Sequence, residues 1–229
     1  MLDWHTDSQE ARQEFWDFCC SDREELLNRY DCLYPQDADK TNAEKVEDVI
    51  LDVCGFHVVD QPLGLGQLAF CDFMTKTVIV NSETESFVND GVCLERLRWS
   101  TLAHELGHIR LHAEEILEEG SICYYGEGRE FVDTRSYQKE READFYAAVF
   151  LVSKEGLLAH PSAQEILEYR LSRRKMASGA IWKHVYRISS SFLVTPTLLK
   201  NCLVEFGWVT AMRSRGPSGL QKLELRFVE

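Results

Sequence analysis

No apolar run in this 229-residue chain approaches the roughly 18 residues that a bilayer-spanning helix needs, so no helical membrane span is expected. The leading residues, Met1-Leu2-Asp3-Trp4-His5-Thr6-Asp7, are acidic and polar and lack the pattern of a secretory signal, which points to the cytoplasm. The eight cysteines (19, 20, 32, 54, 71, 93, 123 and 202) form no CxxC pair, which argues against a thiolate metal cluster. In a chain of this length they read as buried thiols of a reducing compartment rather than disulfide staples. A phosphate loop is also missing: Gly64-Leu65-Gly66 has no third glycine and no following helix, and reads as a turn. Positive charge is in deficit, with 25 Lys+Arg against 38 Asp+Glu and a net charge of −13, which argues against nucleic-acid binding over the whole surface. That deficit is uneven. Residues 1–169 hold 14 basic and 35 acidic side chains, net −21, whereas residues 170–229 hold 11 and 3, net +8. Such a split fits either a basic interaction surface or two subdomains of opposite charge.

What is present describes an α+β protein with one sizeable core, since 45% of the residues are hydrophobic. The first thirty residues spread Trp4, Phe15, Phe18, Leu26 and Leu27 among charges, which predicts one or two amphipathic helices ending near Tyr34-Pro35. Thr41-Asn42-Ala43-Glu44 has the spacing of a capping box, and Val46, Val49, Ile50 and Val53 continue a helix that Gly55 stops. Short β-branched or aromatic runs at 56–59, 68–73 and 77–80 predict a small antiparallel sheet. Leu94 to Ala113 has helical periodicity. Residues 114–136 read as a rim or lid, and a second helix follows from about Ser136 to Val152. Because 145–152 is apolar on every side, that helix is expected at the centre. A basic helical region lies past 160. A helix over 178–189 and a Pro196-led helix closed by Gly207 then look like a helix-turn-helix, and a terminal hairpin spans 208–228.

The chemistry concentrates in Thr101-Leu102-Ala103-His104-Glu105-Leu106-Gly107-His108, an HExxH segment inside the first of those two helices. Histidines four apart share a helix face, so His104 and His108 can grip one Zn²⁺, and Glu105 projects beside them as a general base. A catalytic zinc site takes a third protein ligand. A metzincin histidine would fall at 114, which is Glu, and its glycine at 111, which is Leu. Glu140-Arg141-Glu142-Ala143-Asp144 offers a carboxylate instead. Glu140 is preferred over Glu142, because Asp144, one turn on, is placed to accept the outer N–H of a ligand histidine. Tyr124, Tyr125, Tyr137 and His112 are unranked candidates for a donor to a developing oxyanion. Mn²⁺ or Fe²⁺ could occupy the same ligands.

Three passages carry a resemblance to the ImmA/IrrE metallopeptidases: Val78-Ile79-Val80-Asn81, His104-Glu105-Leu106-Gly107-His108, and Glu140-Arg141-Glu142-Ala143-Asp144-Phe145-Tyr146-Ala147-Ala148-Val149-Phe150-Leu151. The segment from Phe192 to Gly207 is similar to the helical part that follows. The resemblance implies a gluzincin-like, zincin-type body and endopeptidase activity. As substrate it implies a helix-turn-helix repressor, whose cleavage releases stress or mobile-element genes. The sequence itself divides into an N-terminal helical extension (1–40), which has no counterpart in that family, a catalytic domain (41–160) and a basic C-terminal subdomain with hairpin (161–229). A peptide binding along the strand at 77–80 by edge pairing would fit that picture. Two rival readings remain. One is a DNA-binding regulator that contacts phosphates through Arg170, Arg173, Arg174 and Lys175; against it, the helix from Pro196 to Phe206 has Lys200 as its one base. The other is a toxin–antitoxin-type partner whose metal is structural or vestigial.

Overall fold

The first helix, α1 (Gln9–Leu33), buries Phe15, Cys19, Asp22, Leu26 and Tyr30, a stripe at three- and four-residue steps along one face. It belongs to the first of two compact units in the computed structural model, Met1–Leu151 and Val152–Glu229, within which residues 9–64, 66–86, 88, 93–119, 134–215 and 221–227 are described. The sequence sets residues 1–40 apart as an extension, but here α1 packs on the same core as the rest of its unit, with Phe15 and Trp16 against Phe145.

Thr41 caps α2 (Asn42–Asp48) through a complete capping box: its hydroxyl accepts from Glu44 N–H, and the Glu44 carboxylate accepts from Thr41 N–H at 2.8 Å. The helix widens into a π-turn at Val49–Val53, and Gly55, at φ 73°, ends it in the left-handed conformation. Strands β1 (His57–Gln61), β2 (Ala69–Asp72) and β3 (Thr77–Asn81) follow. Their sheet is mixed rather than antiparallel throughout, with lateral order β1-β3-β2. The strands alternate in direction along the chain. Insertion of the third between the first two therefore makes β1 parallel to β3, while β2 and β3 stay antiparallel. The same insertion corrects the expectation for 77–80, because β3 is paired on both sides and the sheet edges belong to β1 and β2.

Helices α3 (Leu94–Glu119) and α4 (Thr134–Leu151) complete the unit. Both run slightly beyond the lid margins drawn from sequence, and residues 120–133 of that stretch lie outside the described residues. Phe145 to Leu151 are all buried, so α4 crosses the core. Leu102, Leu106, Ile50, Val78 and Val80 are buried with it. No described helix is long and apolar enough to cross a membrane.

The second unit holds α5 (Lys154–Ala159), α6 (Pro161–Leu171), α7 (Ser178–Ser191), α8 (Pro196–Glu205) and a hairpin of β4 (Val209–Arg215) with β5 (Gln221–Phe227). Thr195 caps α8, Pro196 takes its first position, and Gly207, at φ 63°, terminates it. Ile181, Val185 and Ile188 form the buried face of α7. Ser178 and Trp182 tie that helix to β5 by accepting from Leu225 N–H at 3.0 Å and donating to the Leu223 carbonyl at 3.3 Å. The whole chain is mixed α+β and mostly helical.

Candidate metal centre

Helices α3 and α4 pass antiparallel and come close together at Gly107, inside the HExxH segment. A Cβ on Gly107 would stand 2.9 Å from both the Cα and the carbonyl oxygen of Ala143 and 3.2 Å from Tyr146 Cβ. Glycine opposite alanine thus lets the two backbones meet and brings a carboxylate of α4 over the imidazoles of α3.

That carboxylate is Glu140. Its Oε1 is 3.1 Å from His108 Nε2 and its Oε2 is 3.4 Å from His104 Nε2; the two Nε2 atoms are 3.1 Å apart. Three donors at about 2.0–2.1 Å from a tetrahedral Zn²⁺ stand roughly 3.3 Å from one another, so this trio has the separation that a single ion requires. Glu140 Oε1 is also buried and accepts no hydrogen bond, as expected of an oxygen turned towards a cation. Among the described residues, His104, His108 and Glu140 are the group able to share an ion.

The electrostatics of His108 and Glu140 suit that use. Burial pushes the His108 imidazole down to about 4, with His104 and His112 adding, so its lone pair stays available at neutral pH. Burial would raise the Glu140 carboxyl, but the two imidazoles outweigh it and hold it at about 2. At His104 burial is likewise overcome: the Asp144 and Glu140 carboxylates keep its pKa well above the usual value. Asp144 Oδ1 lies 2.8 Å from His104 Nδ1, on the side of the ring away from Glu140.

Glu105, next in chain to His104, is 2% exposed, and its Oε2 is buried without a hydrogen-bond partner. Burial lifts its carboxyl to about 7, with Glu140 adding and His104 opposing. A carboxylate poised near neutrality beside a cation site is equipped for general-base work.

The structure therefore brings together His104, Glu105, His108, Glu140 and Asp144. Glu142, the competitor for Glu140, faces elsewhere and contacts His112. His112 itself is buried, with both ring nitrogens engaged inside the protein, which removes it as a donor to a reacting group. Tyr137 stands on α4 three residues before Glu140 and is about half exposed. Tyr124 and Tyr125 lie outside the described residues. Sequence reasoning missed Asp22 of α1, which accepts from Arg110 and from the Tyr146 hydroxyl and so ties α1 to both site helices. An aspartate on the apolar stripe of α1 was the available signal.

Residues 87–193 match the Peptidase_M78 family, described as the IrrE N-terminal-like domain. No curated protein matches the chain. Among solved structures it is similar to a Mycobacterium tuberculosis transcriptional regulator, at 12% identity and a TM-score of 0.48, over 93% of this chain and 59% of that one. The chain thus spans well under two thirds of that protein's length. The matched segment at 87–193 contains both site helices and supports the resemblance to the ImmA/IrrE family.

Proposed function

We propose that this protein is a zinc-dependent, site-specific endopeptidase whose substrate is a helix-turn-helix transcriptional repressor. The observation that carries the reading is the meeting of His104, His108 and Glu140 within 4.8 Å, beside a buried glutamate oxygen that has no partner. The body is gluzincin-like in this reading, α3 supplying two imidazoles and α4 the carboxylate. A divalent cation there, Zn²⁺ or by the same donors Mn²⁺ or Fe²⁺, supplies Lewis-acid polarisation of a carbonyl and acidifies water. The chain's own residues do the rest. Glu105 accepts a proton from the attacking water and returns it to the leaving amine, so the peptide bond is cleaved with one water consumed. Asp144 accepts the His104 Nδ1–H, which leaves Nε2 free to ligate. The repressor substrate rests on the family likeness, and a basic second unit suits a protein working among transcription regulators.

A DNA-binding role has one observation in its favour, the exposed Arg173, Arg174 and Lys175 after α6. Incubation of the Zn²⁺-loaded protein with a helix-turn-helix repressor decides between them. Cleavage at one site by the parent and none by Glu105→Gln is expected. Cleavage by both would remove Glu105 as the base. No cleavage, together with a salt-sensitive shift of duplex DNA, would favour the regulator.

A further inference from the structure

Farther along α3 from His108, a row of buried polar groups leads away from the ligands, and the hydrolysis proposed for Glu105 makes no use of it. His108 is fully buried, and its Nδ1 lies 3.0 Å from His112 Nδ1. The other ring nitrogen of His112, Nε2, lies 3.0 Å from Glu142 Oε2. Glu142 Oε1 in turn accepts from Gln138 Nε2 at 2.8 Å. His112 is 2% and Glu142 6% exposed, so none of these groups exchanges its partner for bulk water without cost.

The geometry points to His112 and Glu142 as a positioning relay that fixes the tautomer and ring orientation of His108. The inference rests on the metal reading of His108 Nε2 and deepens it. If Nε2 gives its lone pair to a cation, the His108 proton is on Nδ1 and must be donated. The group facing it is the Nδ1 of His112, which accepts only when the His112 proton is on Nε2. That proton then meets the Glu142 carboxylate, which accepts and cannot donate. Each link thus has one donor and one acceptor, and the direction is set from the carboxylate end. Gln138, anchored one turn before Glu142 on α4, occupies the second carboxylate oxygen and holds the side chain in place.

The two ligand histidines are therefore supported differently. His104 reaches a carboxylate directly, at half-exposed Asp144. His108 reaches one through an additional imidazole, inside the protein. Both carboxylates come from α4, the helix that also supplies Glu140, so one element sets the metal ligand and both supports. His112 falls at the next i+4 step after His104 and His108, which places the relay on the ligand face of α3.

The test is Zn²⁺ affinity by competition with a chelating dye, and the visible absorption of the Co²⁺-loaded protein, for the parent, His112→Phe and Glu142→Gln. His112→Phe preserves a buried ring but accepts no proton from His108, and is expected to weaken Zn²⁺ binding about 10–100-fold and to shift the Co²⁺ bands. Glu142→Gln keeps an acceptor but loses the charge and its acceptor-only character, and is expected to lose about tenfold. Parent-like affinity and spectrum in His112→Phe would show that His112 merely fills space and would overturn the relay. Should that variant not fold, parent-like affinity in Glu142→Gln overturns it equally. A parent protein that binds no ion would remove the metal reading itself, and the relay with it.

Discussion

Glu105 and Asp22 are both buried carboxylates, and they are buried for opposite reasons. Asp22 is fully partnered: Arg110 donates to both of its oxygens and Tyr146 adds a hydroxyl, a cluster that pushes the Arg110 and Tyr146 pKa values up, mainly by its hydrogen bond at Arg110 and by burial at Tyr146. Asp22→Ala strands a guanidinium and a phenol in the core. With Arg110 about a quarter exposed, the cost is expected near 2 kcal/mol, below the range for a fully buried pair, and a thermal melt reads it directly. Glu105, by contrast, is left unsatisfied at one oxygen, a stability cost that the proposed general-base role accounts for. Glu105→Gln is expected to leave Zn²⁺ affinity within about twofold while lowering turnover by at least about 10²-fold; a comparable loss of both would instead mark Glu105 as a structural or ligating group. That His104 and His108 would lie together was legible from spacing alone, because a four-residue step fixes a shared helix face whatever the tertiary fold. The fate of His112 was not, since facing the same side as the ligands does not say whether a ring looks towards the cavity or back into the core.

At the scale of elements, the crossing of α3 and α4 decides whether a site exists. Gly107→Ala places a methyl 2.9 Å from backbone atoms of Ala143, which have no rotamer by which to yield. The helices must separate by a few tenths of an ångström. The expected result is a loss of about 1–3 kcal/mol in stability together with weaker Zn²⁺ binding, because Glu140 moves away from His108. A stability loss with unchanged affinity would mean that the crossing does not set the ligand distances. Elsewhere, local signals were sufficient: Thr41 and Glu44 announce the start of α2, and Thr195, Pro196 and Gly207 bracket α8. Hydrogen bonds from the Thr41 backbone and hydroxyl hold the Glu44 carboxyl below its ordinary value. A lowered carboxyl stabilises the fold fully above its unfolded pKa, and that contribution fades as acid protonates the group. The melting-temperature gap between the parent and Glu44→Ala is therefore expected to be full above about pH 5 and to shrink on acidification; a gap that widens in acid would contradict the capping role. Sheet order escaped the sequence for a different reason. Alternating hydrophobicity shows that three strands exist and which side chains turn inward, but lateral order depends on β3 inserting between its predecessors, a long-range choice that no local pattern records.

For the molecule as a whole, the charge asymmetry follows its architecture. Residues 1–151 hold 13 basic and 32 acidic side chains, net −19, and residues 152–229 hold 12 and 6, net +6. From composition the change in sign looked to fall near 170, because Glu155, Glu165 and Glu168 of α5 and α6 mask the basic character of the second unit's start. The family segment at 87–193 runs from before α3 to just past α7, so it takes in the candidate metal centre and the first part of the basic unit. The proposed chemistry depends on one cation being shared by two helices of the acidic unit. The direct measurement is metal content after equilibrium dialysis against Zn²⁺, for the parent, His104→Ala and Glu140→Gln. One ion per parent chain is expected, with affinity reduced by at least about 100-fold when either ligand is removed. No ion in the parent, or parent-like affinity in Glu140→Gln, would contradict the account.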